Sequence, residues 1–254
     1  MSNDKTPVRK DAPPKPETRR SDSAAIDAFV RQARAMANPA GEGAGKEGGR
    51  LVLALDATMS RQPTWDLACR LQGEMFDAVG KVGGEAGGLS VQLVYFRGFG
   101  ECRASRFVRD TGALKNLMTR IDCRGGHTQI GKVLAHALKE TERQKVNALV
   151  YIGDAMEEAV DDLAGKAGRL GLHGVPVFVF QEGHDPVAET AFREIARLSK
   201  GAWFRFDGNA ADALSKLLSA VAVFASGGLR ALEARGRPED RLMIEHLRKA
   251  GGRG

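Results

Sequence analysis

Three short stretches of this 254-residue chain hold side chains that could act on a common ligand. Asp56-Ala57-Thr58-Met59-Ser60 sets one carboxylate and two hydroxyls at alternate positions, directly after the apolar run 51–55. Asp154 stands in a similar relation to a second apolar run, 148–152, with only Gly153 between. Gly125-Gly126-His127-Thr128 lies between them, a glycine-rich loop with a third hydroxyl at the start of a helical pattern. Two carboxylates and three hydroxyls are hard oxygen donors suited to Mg²⁺ or Mn²⁺, whereas zinc would favour His and Cys. The carboxylates neutralise a divalent ion; the hydroxyls add no charge and leave it electrophilic enough to attract an external carboxylate. The competing reading is that these side chains only satisfy backbone donors in their own loops.

Such donors meet only if strands deliver them to one edge of a sheet. In open parallel sheets, ligands sit at the carboxyl ends of strands where the connections diverge. Residues 51–55 and 148–152 are continuously apolar, as strands buried on both faces are. Residues 91–96 and 102–108, joined through Gly98 and Gly100, read as an antiparallel hairpin at a sheet edge. Arg97, Arg103, Arg106 and Arg109 cluster around it and are expected on a solvated edge. Helical spacing appears at Trp65, Ala68, Cys69, Met75, Phe76 and Val79, and again near 114–121, 130–140, 157–170, 187–199 and 210–225. Strands are expected at 175–180 and 203–206. The alternation predicts an α/β, doubly wound, mostly parallel sheet with one antiparallel edge strand and helices on both faces.

Around this domain, assigned to residues 50–226, the composition changes. Residues 1–22 are polar and proline-bearing, too poor in apolar groups to offset the entropy of ordering, and read as a disordered tail. Residues 23–37 carry Ile26, Phe29, Val30 and Ala33 at the spacing of a short amphipathic helix; 38–49 read as a Gly-rich linker. Residues 227–254 form a basic C-terminal extension whose sparse anchors predict weakly packed helices. With 38 Lys and Arg against 32 Asp and Glu, the formal charge of +6 is too mild to imply nucleic acid, and none is expected as a partner. Three cysteines without a Cys-x-x-Cys pair fit a reducing compartment. No apolar run approaches membrane-spanning length and no leader is evident, so the expectation is a soluble, cytoplasmic chain without a membrane partner.

The ordered set of Asp56, Thr58, Ser60, Thr128 and Asp154 resembles the von Willebrand factor type A (VWA) domain family and its metal-ion-dependent adhesion site, with the features of an intracellular bacterial-type member. The family pattern is Asp-x-Ser/Thr-x-Ser, a threonine in a later Gly-rich loop, and an aspartate ending the next central strand. The resemblance covers about residues 51–224. It implies a Rossmann-like fold, with Thr58 and Ser60 as direct ligands through their hydroxyls. Asp56 and Asp154 would hold metal-bound waters or the ion, and Thr128 would bind directly or through water. The family usually has Gly after the last aspartate; this chain has Ala155, which removes no ligand. The implied activity is non-enzymatic: capture of an Asp or Glu from a protein partner within an intracellular assembly, including ones built around AAA-type ATPases.

Other residues have plainer expected roles. Glu157, Glu158, Asp161 and Asp162 are expected in the first turns of a helix, opposing its macrodipole. His127 is expected to shape its loop or face solvent, and His136 to lie on a helix surface. The alternative function is a Mg²⁺-dependent phosphohydrolase using Asp56 and Asp154. The haloacid-dehalogenase-like pattern, however, needs a second aspartate where this chain has Thr58.

Overall fold

The computed structural model describes residues 48–65, 88–206 and 211–251. The expected tail 1–22, the amphipathic helix 23–37, the linker up to residue 47 and the helix from Ala68 to Val79 lie outside the described residues.

Strands β1 (Gly49–Asp56), β2 (Leu89–Arg97), β3 (Glu101–Ala104), β4 (Ala148–Gly153), β5 (Val177–Glu182) and β6 (Ala202–Phe206) form one sheet in the order β3-β2-β1-β4-β5-β6. Every neighbouring pair is parallel except β2 with β3, which agrees with the predicted sheet and its antiparallel edge strand. Helices α1 (Thr111–Met118), α2 (Ile130–Arg143), α3 (Val160–Leu172), α4 (Pro186–Leu198), α5 (Ala211–Arg235) and α6 (Pro238–Gly251) cover it.

Side chains alternate across a strand, and both faces of this sheet are buried. Leu51, Leu53 and Leu55 pack in one core with Leu117 and Val221, while Val52 and Ala54 pack in the other with Leu134, Leu163 and Phe192. That arrangement explains the unbroken apolar runs. Leu53 pairs with Leu93 on one side and Val150 on the other, so β1 is the strand on which the sheet is centred. The chain turns from β1 towards β2 and β3 and returns to place β4 on the opposite side. This reversal opens a crevice at the carboxyl ends of β1 and β4.

Two features depart from expectation. The segment Ser215–Arg235 is long and apolar enough to cross a membrane by length and composition, although no such run was expected. In the fold it is a core helix: Leu218, Val221 and Ala225 are buried, and Gly228, at φ 67°, breaks its regular geometry. The C-terminal helices are also anchored more firmly than sparse leucines suggest. Leu232 and Met243 are fully buried in the core that contains Leu53. Arg235 Nε donates to both oxygens of the fully buried Asp240 at 3.0 and 2.8 Å, and its Nη1 donates to Ser219 Oγ at 2.8 Å. The same carboxylate accepts from the Arg237 backbone N–H at 3.0 Å, capping α6.

Removing one member of a buried ion pair leaves its partner uncompensated. Asp240→Ala should therefore lower stability by about 3 kcal/mol in urea unfolding, whereas Glu245→Ala, on the exposed face of α6, should leave the midpoint nearly unchanged.

Candidate metal centre

Asp56 ends β1 and is fully buried; Thr58 is nearly so, while Ser60 is exposed in the short 3₁₀ turn Met59–Thr64. The Thr58 N–H donates to Asp56 Oδ1 at 2.8 Å, which leaves Oδ2 buried without a hydrogen-bond partner. Thr58 Oγ1 and Ser60 Oγ lie 3.1 Å apart. Asp154 follows β4 half-buried, with its Oδ1 also buried and unpartnered. Two inward carboxylate oxygens without donors, beside a pair of hydroxyls, form an acceptor-rich cluster that fits a hard cation. Among the described residues, no group of three or more His, Cys, Asp or Glu side chains is placed to hold a metal. A centre here would therefore depend on hydroxyls.

Thr128 is buried immediately before α2, and its loop is seated on the first. Arg124 N–H donates to Ala57 O at 3.0 Å, and Thr58 and Arg124 form an isolated parallel bridge. Thr128 Oγ1 accepts the Glu157 N–H at 3.0 Å, tying it to the loop that carries Asp154. Glu157 and Glu158 do not occupy the first turn of the following helix, because α3 begins only at Val160. Their carboxylates instead reach across to the start of α2, where backbone N–H groups lack intrahelical partners. Glu158 accepts from the Ile130 and Gly131 N–H groups and Glu157 from that of Thr128. The acidic pair thus clamps two site loops together, a long-range contact that its position in sequence does not reveal. Asp161 and Asp162 do lie in the first turn of α3.

Charges beneath the cluster were not identified from sequence. Arg61, one residue after Ser60, is 1% exposed and forms an ion pair with Glu182 at the end of β5. Tyr151 is fully buried below Gly153, where an added Cβ would come within 2.4 Å of the phenol oxygen. Burial and the charges of Asp56 and Asp154 keep this phenol protonated. The sequence signals were faint: an arginine closing the hydroxyl motif, and Gln181-Glu182 ending an otherwise apolar strand. Arg97 also differs from expectation. It is buried rather than solvated, donating to Glu101 at 3.0 Å and to Asp122 O at 2.9 Å. His127 is largely exposed, with Nδ1 3.1 Å from Glu157 Oε2, and His136 is half-buried with Nε2 2.9 Å from Gln92 Oε1.

No family model and no curated protein matches the sequence. Solved structures do. A von Willebrand factor type A protein from Catenulispora acidiphila gives a TM-score of 0.56 at 16% identity, over 70% of this chain and 43% of that one. The SpRpn10 VWA domain gives 0.54 at 14%, over 67% and 95%. Proximal thread matrix protein 1 from the mussel byssus, with a zinc-occupied MIDAS motif, gives 0.57 at 15%, over 69% and 46%. The fold is that of a VWA domain. The chain matches less than half the length of the Catenulispora and mussel proteins, and at these identities the likeness is one of fold.

In this VWA fold, Asp56 and Asp154 at the carboxyl ends of β1 and β4 interact as like charges, while Arg61 offsets the charge of Asp56 and pairs with Glu182. Burial pushes Asp56 up to about 6, with Asp154 adding to the rise while the Thr58 hydrogen bonds and Arg61 oppose it. A carboxyl group with a folded-state pKa above its unfolded value favours the fold most when protonated. In the metal-free protein, that contribution is complete below about pH 4 and is lost as pH rises through about 6. Asp56→Asn should therefore be more stable than wild type in EDTA at pH 8, by roughly 3 kcal/mol. The difference should vanish near pH 4, as measured by urea unfolding at both pH values.

Proposed function

We propose that this chain is a protein-interaction module that binds one Mg²⁺ or Mn²⁺ ion and uses it to capture an Asp or Glu side chain of a partner protein. The observation that carries this reading is the pair of buried, unpartnered oxygens on Asp56 and Asp154 beside the Thr58–Ser60 hydroxyl pair. Thr58 Oγ1 and Ser60 Oγ would ligate the ion directly, and Asp56 and Asp154 would supply charge through oxygen or bound water. Thr128 would complete the set through the lone pair that its bond to Glu157 leaves available. The ion would supply an electrophilic position for an external carboxylate; the protein's residues fix its place and limit its charge neutralisation.

A hydroxyl-rich donor set favours binding over hydrolysis in this reading. Asp56 Oδ1 is occupied by the Thr58 N–H, and the position two residues on offers a hydroxyl rather than the acid that phosphoaspartate chemistry uses. The mussel protein of the same fold, with a zinc-occupied MIDAS motif, supports divalent-metal binding in this reading. An intracellular assembly, including one organised by an AAA-type ATPase, is the setting proposed for the partner.

Asp154→Ala tests the site directly. Metal that binds only the folded state raises the melting temperature by mass action. Wild type should therefore melt higher in millimolar Mg²⁺ than in EDTA at constant ionic strength. Asp154→Ala should melt at least as high as wild type in EDTA, because like-charge repulsion is relieved, yet show a much smaller shift with Mg²⁺. Equal shifts in the two proteins would place the cation elsewhere and overturn the assignment.

A further inference from the structure

Strand β6 lies at one edge of the sheet, three strands from β1, and it pairs with β5 alone. Among the described residues its backbone makes no hydrogen bond beyond that pairing. A strand with a single neighbour turns the N–H and C=O groups of every second residue outward, where they form a template for another chain. Trp203 on this strand is half-buried and Arg205 is exposed.

A cavity of about 540 Å³ opens at the amino end of β6, between α4 and α6. Arg193, Arg197, Lys200, Trp203, His246 and Lys249 line it, and none of its lining residues is acidic. Glu189, Glu194 and Glu245, which do not line it, pair with Arg193, Arg197 and Lys249, whereas Lys200 has no ion-pair partner among the described residues. Lys200 also has a φ of 61°, just after the C-cap of α4, where glycine is usual. The turn thus carries a cation in a backbone conformation that glycine would adopt more easily. Trp203 is fixed beside it: its Nε1 donates to Gln181 Oε1 at 3.0 Å, and the Arg193 guanidinium lies 3.7 Å from its ring centroid.

Charged side chains on an edge strand ordinarily guard it against other strands. Here the cations come from α4, the turn before β6 and α6 as well as from the strand, and they surround a cavity. Such an edge excludes a basic strand and favours an acidic one. A second copy of this chain would bring its own Arg205 and Lys200 against the first, so like charges oppose self-pairing.

We propose that the outer edge of β6 and the cavity at its amino end form a docking site for an extended acidic segment of another protein, which adds one strand to the sheet. The segment's backbone pairs with the outward groups of β6, and its carboxylates meet Lys200, Arg197 and Lys249. Because strand side chains alternate between faces and the cations come from helices on both, acids at consecutive positions are accommodated. The site lies at the opposite end of the strands from Asp56 and Asp154. It needs no metal.

The test is to pan a displayed library of random dodecapeptides against the full chain in EDTA and elute with concentrated salt. The expected clones carry two or more Asp or Glu among β-branched residues. A fluorescent copy of the enriched peptide should bind Lys200→Gly and Lys249→Gln about fivefold more weakly than wild type. Lys200→Gly should nevertheless melt no lower, since glycine suits the turn. Two further copies, N-methylated on alternate residues in opposite phase, should differ: one loses the N–H donors that face β6 and fails to bind, and the other binds. Asp154→Ala should bind the peptide as wild type does. Failure to enrich any clone, enrichment without acids, equal binding of the two methylated copies, or undiminished affinity in both lysine variants would each overturn the proposal. Binding lost in Asp154→Ala would move the peptide to the metal cluster, with the same consequence. A dimer in sedimentation that the peptide dissociates would assign the edge to a second copy and overturn it as well.

Discussion

Two carboxylates are held at the ends of adjacent parallel strands, where neither can reach enough donors to satisfy it. Asp56 is fully buried, and one of its oxygens accepts the Thr58 N–H while the other accepts nothing. Asp154 adds like charge from the neighbouring strand end, and burial with that charge raises the affinity of Asp56 for a proton. A fold that only needed to be stable would place apolar or amide groups there. The surrounding loops are arranged around this electrostatic cost, and a divalent cation would relieve it.

The supporting charges follow from the same constraint. Arg61 brings one positive group beneath the cluster, but its ion pair with Glu182 divides that charge between two carboxylate neighbours. The cluster therefore stays negative. Rigidity comes from elsewhere: Glu157 and Glu158 cap the start of α2, and the Glu157 N–H holds Thr128 Oγ1. The loops from β1, from β4 and before α2 are consequently joined by hydrogen bonds, which would suit a site that presents several oxygens to one ion.

The same bracing reaches the β2–β3 turn. Gly98 and Gly126 are in backbone contact and Gln129 Nε2 donates to Gly98 O, which holds that turn against the loop that carries Thr128.

The sequence by itself determined the sheet and the main residues of the cluster. Strands buried on both faces must be continuously apolar, and a donor that ends such a strand must lie at the sheet edge, so Asp56 and Asp154 could be placed from the runs 51–55 and 148–152 alone. The alternation of Asp56, Thr58 and Ser60 was equally local. What only the tertiary structure decided were contacts between groups distant in the chain. Arg97 and Arg61 look like surface residues because the Asp122 carbonyl that Arg97 meets and the Glu182 carboxylate that Arg61 meets become neighbours only in the folded chain. Glu157 and Glu158 look like the first turn of their own helix, yet they cap another one, because the unpaired N–H groups of α2 are closer in space than any local partner. The C-terminal helices look loosely attached from their sparse apolar residues, yet Leu232 and Met243 are buried in the core and the Arg235–Asp240 ion pair ties the two helices together. Periodicity records which face of an element is buried; it carries no information about which distant charge that face will meet.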